Sequence, residues 1–420
     1  MFGKITNNQI SPAHISHLSF VFFSSYFLFR IADGIMGYIF PIVVETTVNS
    51  NTIMGIILSL SSVTGLACDF MIPSLAKRKN WRQLLILAVL LALLFPILTF
   101  LGDLFVFIWF FIMASVVWGL YFEFIMFSQQ GFIIETDKHR DFSRDWGIVS
   151  VLISVMEIIT PILGSILLSL RFETYPWTVV LILLVVLMLL LLSQNTRKEK
   201  TDVALKSKHR ELYELYREFK LWGILGVRTY QILIVSFLLQ SVFAAYWIFG
   251  GLFGREIAGE EGADWIVMFL YAVPGLLSSL LMSKYLIKHH KKRISLIFMI
   301  LGGFSMAFMA ISEGSILLTG TSIFLSSFLF SLAYPLNNAV FSDLAVRLGK
   351  NKSHIFGLNN ATSSLAYILV PLILGILSDN FGYSLSFGIL GMITVVAGIL
   401  LLMITPRKLL IPQKQITQLR

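Results

Sequence analysis

The chain has 420 residues, of which 57% are hydrophobic and only 13% are charged. Soluble proteins are about 45–50% apolar and about 25% charged, so this composition excludes a soluble enzyme and a disordered protein. The single cysteine, Cys68, can form neither an intramolecular disulfide nor a cysteine-based metal site. The sequence therefore predicts a protein whose main solvent is lipid.

Twelve apolar segments are each long enough to cross a bilayer. A bilayer core about 30 Å thick needs about 20 apolar helical residues, and a helix satisfies all of its backbone hydrogen bonds in lipid. In chain order the predicted spans are 17–44, 52–74, 83–101, 104–130, 147–170, 175–194, 228–252, 264–287, 294–312, 315–341, 355–377 and 384–405. We therefore predict an all-α polytopic membrane protein with twelve transmembrane helices.

Basic residues lie almost entirely on one side of these spans. If the N-terminus is cytoplasmic, all 32 lysines and arginines except Arg30, Arg171 and Arg255 lie in cytoplasmic ends and loops. This asymmetry predicts that both termini are cytoplasmic and that the protein lies in a cell membrane, either plasma or inner. The net charge of +9 is thus spread over short loops, and we expect no nucleic-acid partner.

The longest connection, residues 195–227, is polar and basic and lies at the middle of the chain. Apolar residues recur there at helical spacing: Leu212, Leu215, Tyr216, Phe219 and Trp222. The pattern favours an amphipathic helix on the cytoplasmic membrane face, and a solvated linker is the alternative.

An internal repeat relates the two ends of the chain. A shift of half the chain length brings landmarks into register, pairing Arg30 with Gln240, Gly65 with Gly275, and Pro161 with Pro371. We therefore predict two parallel six-helix halves, residues 1–194 and 228–420, joined by the central connection.

This organisation resembles the major facilitator superfamily over nearly the whole chain. Gly65 and Asp69 match the glycine and aspartate of that family's motif between spans 2 and 3, although Phe70 stands where arginine is usual. Pro161 and Gly164 match part of its antiporter-associated motif in span 5. The resemblance implies a central cavity lined by spans 1, 4, 7 and 10, and a gating or structural role for these four motif residues.

Arg30 and Asp33 are charged residues inside span 1, where each charge is costly and needs an explanation. Their spacing of three residues lets the two side chains share a helix face and pair. In one hypothesis Arg30 binds an anionic group of the substrate and Asp33 takes part in proton transfer. In the other, the pair stays ionised and locks span 1 against its neighbours.

Glu157 in span 5 is the stronger candidate for a proton carrier, because it lies among apolar residues with no basic neighbour in sequence. Alternatively, it pairs with Arg30 across the bundle. Glu123 in span 4 either faces the cavity or reaches the membrane interface.

The second half offers uncharged amides as candidate substrate ligands: Gln240 in span 7, and Asn337 and Asn338 in span 10. Amides can hydrogen-bond a polar substrate without titrating. They also commonly join transmembrane helices to each other.

We predict a secondary active transporter that moves a small organic solute by alternating access and is coupled to protons. The sequence has no phosphate-binding loop and no HExxH metal motif, so we expect no cofactor or metal, only an ion gradient as driving force. We expect a monomer whose partners are its substrate and the lipid bilayer, and no enzyme activity. An amphiphile flippase and an uncoupled facilitator of the same fold are the alternatives.

Overall fold

The computed structural model describes residues 12–76, 80–136, 142–170, 174–192, 208–258, 264–284, 290–312, 314–348 and 352–405. Every regular secondary-structure element in these residues is an α-helix or a 3₁₀ helix. The α-helices are α1 (Pro12–Val48), α2 (Asn51–Ala76), α3 (Trp81–Ala92), α4 (Leu94–Leu104), α5 (Ile108–Thr136), α6 (Phe142–Leu170), α7 (Thr174–Leu192), α8 (Lys208–Ala258), α9 (Ile266–Lys284), α10 (Lys291–Ala307), α11 (Ile316–Leu348) and α12 (Lys352–Ile404). A 3₁₀ helix, Phe308–Ile311, extends α10. In the part of the chain that the structure describes, all twelve predicted spans overlap these helices, which confirms the all-α membrane fold.

Three predicted spans do not correspond to one helix each. Span 3 is interrupted between α3 and α4, because Pro96 has no backbone N–H for the carbonyl of Ala92 and its ring crowds that carbonyl. Spans 11 and 12 lie together in α12, which reverses direction at Gly382. Gly382 has φ 76° and ψ 172°, a conformation that residues with a side chain rarely adopt, so glycine permits this tight reversal.

The lipid-facing surface explains why the spans are apolar on all sides. In α7, one side is buried through Val179, Leu183 and Val186, whereas Leu181 and Met188 on the other side are exposed. In water such a helix would keep a polar face, but lipid accepts apolar residues all around. Ten described segments are long and apolar enough to cross a membrane; one of them, Gly357–Ile404, spans both arms of α12.

The two ends of the bundle differ in charge. At one end, which we call the basic end, α1 begins and Lys291 at the start of α10 pairs with Asp343 near the end of α11, at 2.9 Å. The opposite end, which we call the far end, contains Asp264 before α9 and Asp379 just before the reversal in α12. The basic end is the side that the sequence predicts to be cytoplasmic.

Residues 195–207 of the central connection lie outside the described residues, as do the side chains of Leu212, Leu215, Tyr216 and Phe219. From Lys208 onward the connection is helical and continues without interruption into the span of α8. The location of this helix at the membrane surface stays a prediction, as does the division of the chain into two six-helix domains.

Candidate functional site

A cavity of about 490 Å³ lies between the N-terminal and C-terminal helices. We call its lining on α1, α2, α5 and α6 the N-terminal wall, and its lining on α8, α9 and α12 the C-terminal wall. Pockets for drug-sized molecules have volumes of about 300–1,000 Å³. The cavity is therefore large enough for a small organic molecule.

All charged side chains of the described lining belong to the N-terminal wall: Arg30, Asp33, Glu123 and Glu157. The C-terminal wall contributes neutral polar groups instead, among them Gln240, Asn360, Ser363 and Ser364. The structure thus brings four of the predicted charged residues together with Gln240.

Arg30 and Asp33 form an ion pair on α1, with 2.9 Å between Arg30 Nη1 and Asp33 Oδ2. The second carboxylate oxygen of Asp33 accepts a hydrogen bond of 2.9 Å from the hydroxyl of Tyr121 on α5. The guanidinium of Arg30 also lies 5.9 Å from the ring centroid of Phe122. Since both charged side chains are largely buried, these contacts hold Arg30 and Asp33 in one geometry and neutralise their charges.

Glu157 on α6 differs from the largely buried Arg30–Asp33 pair, because its side chain is exposed to the cavity. Among the residues that the structure describes, none makes a hydrogen bond or an ion pair with this carboxyl group. It lies within electrostatic range of Arg30 on the same wall and of Tyr271 and Tyr367 on the opposite wall. Glu157 therefore presents a carboxyl group to the cavity that a proton or a ligand can reach.

Glu123 lies beside Gly65 of the motif between spans 2 and 3. A methyl group added at Gly65 would lie 3.1 Å from Glu123 Oε1, so glycine leaves room for this carboxyl group at the cavity. Glu123 lines the cavity and is half-buried. The side chain of Asp69, the other residue of that motif, lies outside the described part of the chain.

Close packing of α6 on α1 positions Glu157 near Arg30. A methyl group at Gly34 would lie 2.6 Å from Oγ1 of Thr160, and one at Gly164 would lie 2.5 Å from Cδ1 of Tyr38. Pro161 lies inside α6 between these two contacts. The span 5 motif thus lies in the tightest part of the α1–α6 contact, and its gating role stays a prediction.

The candidate amides of the second half lie in different places. Gln240 lines the cavity and its Nε2 donates a hydrogen bond of 3.2 Å to the hydroxyl of Tyr334. Asn337 and Asn338 on α11 are outside the described cavity lining, and Asn337 is only 3% exposed. Of these three, only Gln240 is placed to contact a molecule in the cavity.

The two sets of helices are joined at the far end. Asp379 accepts hydrogen bonds from the backbone N–H groups of Asn51 and Thr52, at 2.7 and 2.9 Å, and thereby caps α2. The Ser165 hydroxyl on α6 donates to Asp264, which precedes α9. Within the described residues, every hydrogen bond between α1–α7 and α8–α12 lies at this end. The cavity is therefore closed at the far end.

Close backbone contacts seal the same end. A methyl group at Gly55 on α2 would lie 2.0 Å from the carbonyl oxygen of Pro371, and one at Gly375 would lie 2.5 Å from that of Asn51. Only glycine allows α2 and α12 to approach so closely.

Sequence reasoning did not identify Tyr271 and Tyr367 as cavity residues, the contact of Tyr121 with Asp33, or the interhelical role of Asp379. A charged residue inside an apolar span is rare and therefore stands out as a candidate, whereas a tyrosine is common in such spans and does not stand out. The one available signal was that a buried tyrosine hydroxyl usually needs a partner.

A helical membrane protein with a charged cavity between two sets of helices has the architecture of a transporter rather than an enzyme. The family model of the Major Facilitator Superfamily matches residues 22–351, and the chain belongs to this family. The comparison with curated proteins gives no match.

Several solved transporter structures have the same fold. One is a bacterial homologue of the human lysosomal transporter Spinster, in an inward-facing and unoccupied conformation. It is 14% identical with a TM-score of 0.70, and the match covers 93% of this chain and 96% of the homologue. The D-xylose-proton symporter is 14% identical with a TM-score of 0.71, covering 93% and 100%. A POT family transporter in complex with 5-aminolevulinic acid is 15% identical with a TM-score of 0.68, covering 94% and 96%. At these identities the likeness concerns the fold.

Proposed function

We propose that the protein is a proton-coupled secondary transporter that moves a small organic solute by alternating access. The observation that carries this proposal is Glu157, a carboxyl group that faces the cavity without a bonded partner among the described residues. A carboxyl group that takes up and releases a proton must be reachable from water and free to change its charge. Glu157 meets both conditions.

The far-end contacts support the alternating-access part of the proposal. With the far end closed, the proposed cycle has the solute entering from the basic end, which the sequence predicts to face the cytoplasm. Opening the other side requires breaking the contacts of Asp379 with α2 and of Ser165 with Asp264. Each of these hydrogen bonds has a carboxylate acceptor and contributes about 1.5–3 kcal/mol. A rocking motion of the two sets of helices has to break these bonds and also to separate the closely packed helices α2 and α12.

In this mechanism Arg30 and Asp33 keep their charges throughout the cycle. Their mutual hydrogen bond and the bond from Tyr121 hold the two side chains together in one geometry. Arg30 and Glu157 lie on the same wall of the cavity and within electrostatic range of each other. The same fold supports proton coupling in the D-xylose-proton symporter, as its name states.

Transport of protons in purified proteoliposomes tests this proposal. Liposomes that contain a fluorescent pH dye receive a gradient of a neutral sugar, an organic anion or an organic cation in separate experiments. We expect one of these gradients to move protons with the wild-type protein and none to do so with Glu157→Gln.

Glu45→Gln is the matched control, because Glu45 is a half-buried carboxylate on α1 outside the described cavity lining. This variant should keep the wild-type proton movement. Solute movement without any proton movement would instead identify an uncoupled facilitator, and equal proton movement in Glu157→Gln would remove Glu157 from the coupling step.

A further inference from the structure

We infer that the substrate is a monovalent organic cation with an apolar or aromatic body, exchanged for one proton at Glu157. This inference rests on the proposed function, since it names the substrate class of the same cavity. It follows from the charge of the lining, from the aromatic rings beside it and from the contacts of Arg30.

The described lining of the cavity carries more negative than positive groups. It contains one arginine and three carboxylates, Asp33, Glu123 and Glu157. Even with Glu123 left aside, a single positive charge faces two negative ones. A cation therefore balances the lining when Glu157 is ionised, whereas an anion would increase the imbalance.

The positive charge of Arg30 is already balanced by Asp33 before any anion binds. Nη1 of Arg30 donates to Asp33 at 2.9 Å, and the guanidinium lies over the ring of Phe122. An anionic substrate bound to the remaining donors of this guanidinium would lie beside the acidic side chains of Asp33 and Glu157. The hypothesis of an anion bound by Arg30 is thus the weaker one on geometric grounds.

Aromatic rings from both walls surround the charged groups. Seven of them line the cavity: Trp118, Phe122, Phe127, Phe243, Trp247, Tyr271 and Tyr367. Ring faces attract cations, by about 0.5–2 kcal/mol per contact depending on desolvation. Apolar side chains such as Ile153, Met156 and Met268 complete the lining. This surface suits a cation with an apolar body better than a polyhydroxylated solute, which needs many hydrogen-bonding partners.

Glu157 can balance either a bound cation or a bound proton. When the cation occupies the cavity, Glu157 is ionised; when the cation leaves, the carboxylate takes up one proton from water. One positive charge thus crosses in each direction, and the exchange is electroneutral. A membrane potential alone should then drive no transport, whereas a pH gradient should.

Three biphenyl-shaped probes of similar size and fixed charge test the substrate class. They are N-methyl-phenylpyridinium as the cation, biphenyl sulfonate as the anion and biphenyl methanol as the neutral compound. Binding to the purified full-length protein is measured by titration calorimetry in two buffers of different ionisation enthalpy, which gives the number of protons released. We expect the cation to bind at least about tenfold more tightly than the other two, with release of up to about one proton.

Variants at position 157 separate this result from a general loss of structure. Glu157→Gln should weaken cation binding at least about tenfold and abolish proton release, because the amide cannot ionise. Glu157→Asp should keep the preference for the cation, and Glu45→Gln should bind like the wild type. Tighter binding of the sulfonate, or proton release that persists in Glu157→Gln, would overturn the inference.

The liposome assay distinguishes this inference from the proposed function. Proton movement driven by the sulfonate but not by the pyridinium would refute the cation while leaving a proton-coupled transporter. Binding of the pyridinium with proton release but without transport would refute the transporter and leave the cation site.

Discussion

The two walls of the cavity differ in the kind of polar group they present. The N-terminal wall carries Arg30, Asp33, Glu123 and Glu157, whereas the described C-terminal wall carries amides, hydroxyls and aromatic rings. The difference extends to positions related by the internal repeat, where Arg30 on α1 corresponds to Gln240 on α8. Both residues line the cavity, and only one of them is charged.

This difference indicates that the two walls have different functions. A buried charge needs partners at fixed distances, and α1 and α5 provide them through Asp33 and Tyr121. The C-terminal wall needs no such network, because neutral groups such as Gln240 cost less to bury. We therefore expect coupling to depend on the N-terminal wall and recognition of the substrate body to depend on both.

Moving the carboxyl group to the other wall is the strongest test of this comparison. In the double variant Glu157→Gln with Gln240→Glu, the cavity keeps the same number of acidic residues. We expect proton movement in liposomes to stay at the level of protein-free vesicles, because a carboxyl group at position 240 lies beside Tyr334 and not on the wall of Arg30. Restored movement would show that the total charge of the cavity matters and its placement does not.

Removing the partner of Arg30 tests the charged network itself. Asp33→Asn keeps the size of the side chain but leaves the largely buried guanidinium without its negative partner, and breaking such a pair costs about 3–5 kcal/mol. Tyr121→Phe removes only one hydrogen bond to Asp33, which contributes about 1 kcal/mol. We expect the first variant to lower the apparent melting temperature in detergent clearly more than the second. Equal decreases in melting temperature would mean that the ion pair stabilises the protein no more than the Tyr121 hydrogen bond does.

The smallest effect is expected on the C-terminal wall. Gln240→Leu removes the hydrogen bond of 3.2 Å to Tyr334 and one polar group of the cavity. We expect a loss of about 1 kcal/mol in the binding free energy of the pyridinium probe, which corresponds to roughly fivefold weaker binding. The number of protons released per cation should not change, and Tyr334→Phe, which removes the same hydrogen bond but keeps the amide, is the control. A changed proton count would contradict the division between the walls.

Part of the candidate site could be predicted from local spacing. Arg30 and Asp33 are three residues apart, and this spacing on a helix correctly predicted that they pair. Glu157 stood out because it is an acid within an apolar span. The roles assigned to these residues stay predictions, since geometry alone does not show a proton moving.

Other parts of the site depend on helices that are distant in sequence. Tyr121 donates a hydrogen bond to Asp33, which lies 88 positions earlier in the chain. Asp379 caps α2, which begins more than 320 positions earlier. Asn337 and Asn338 lie in a predicted cavity-lining span but outside the described lining. Sequence spacing within α11 could not decide which of its sides faces the cavity.

The sequence by itself determined the number of membrane spans, their helical state and the family. Apolar length and the need to satisfy backbone hydrogen bonds in lipid are local properties, so they can be read along the chain. The tertiary structure decided which side of each helix lines the cavity, which partners the charges have and which end is closed. Most of these helices are apolar on every side, so the sequence does not specify their rotation. Close contacts at glycines such as Gly34, Gly55 and Gly164, together with interhelical hydrogen bonds, fix it.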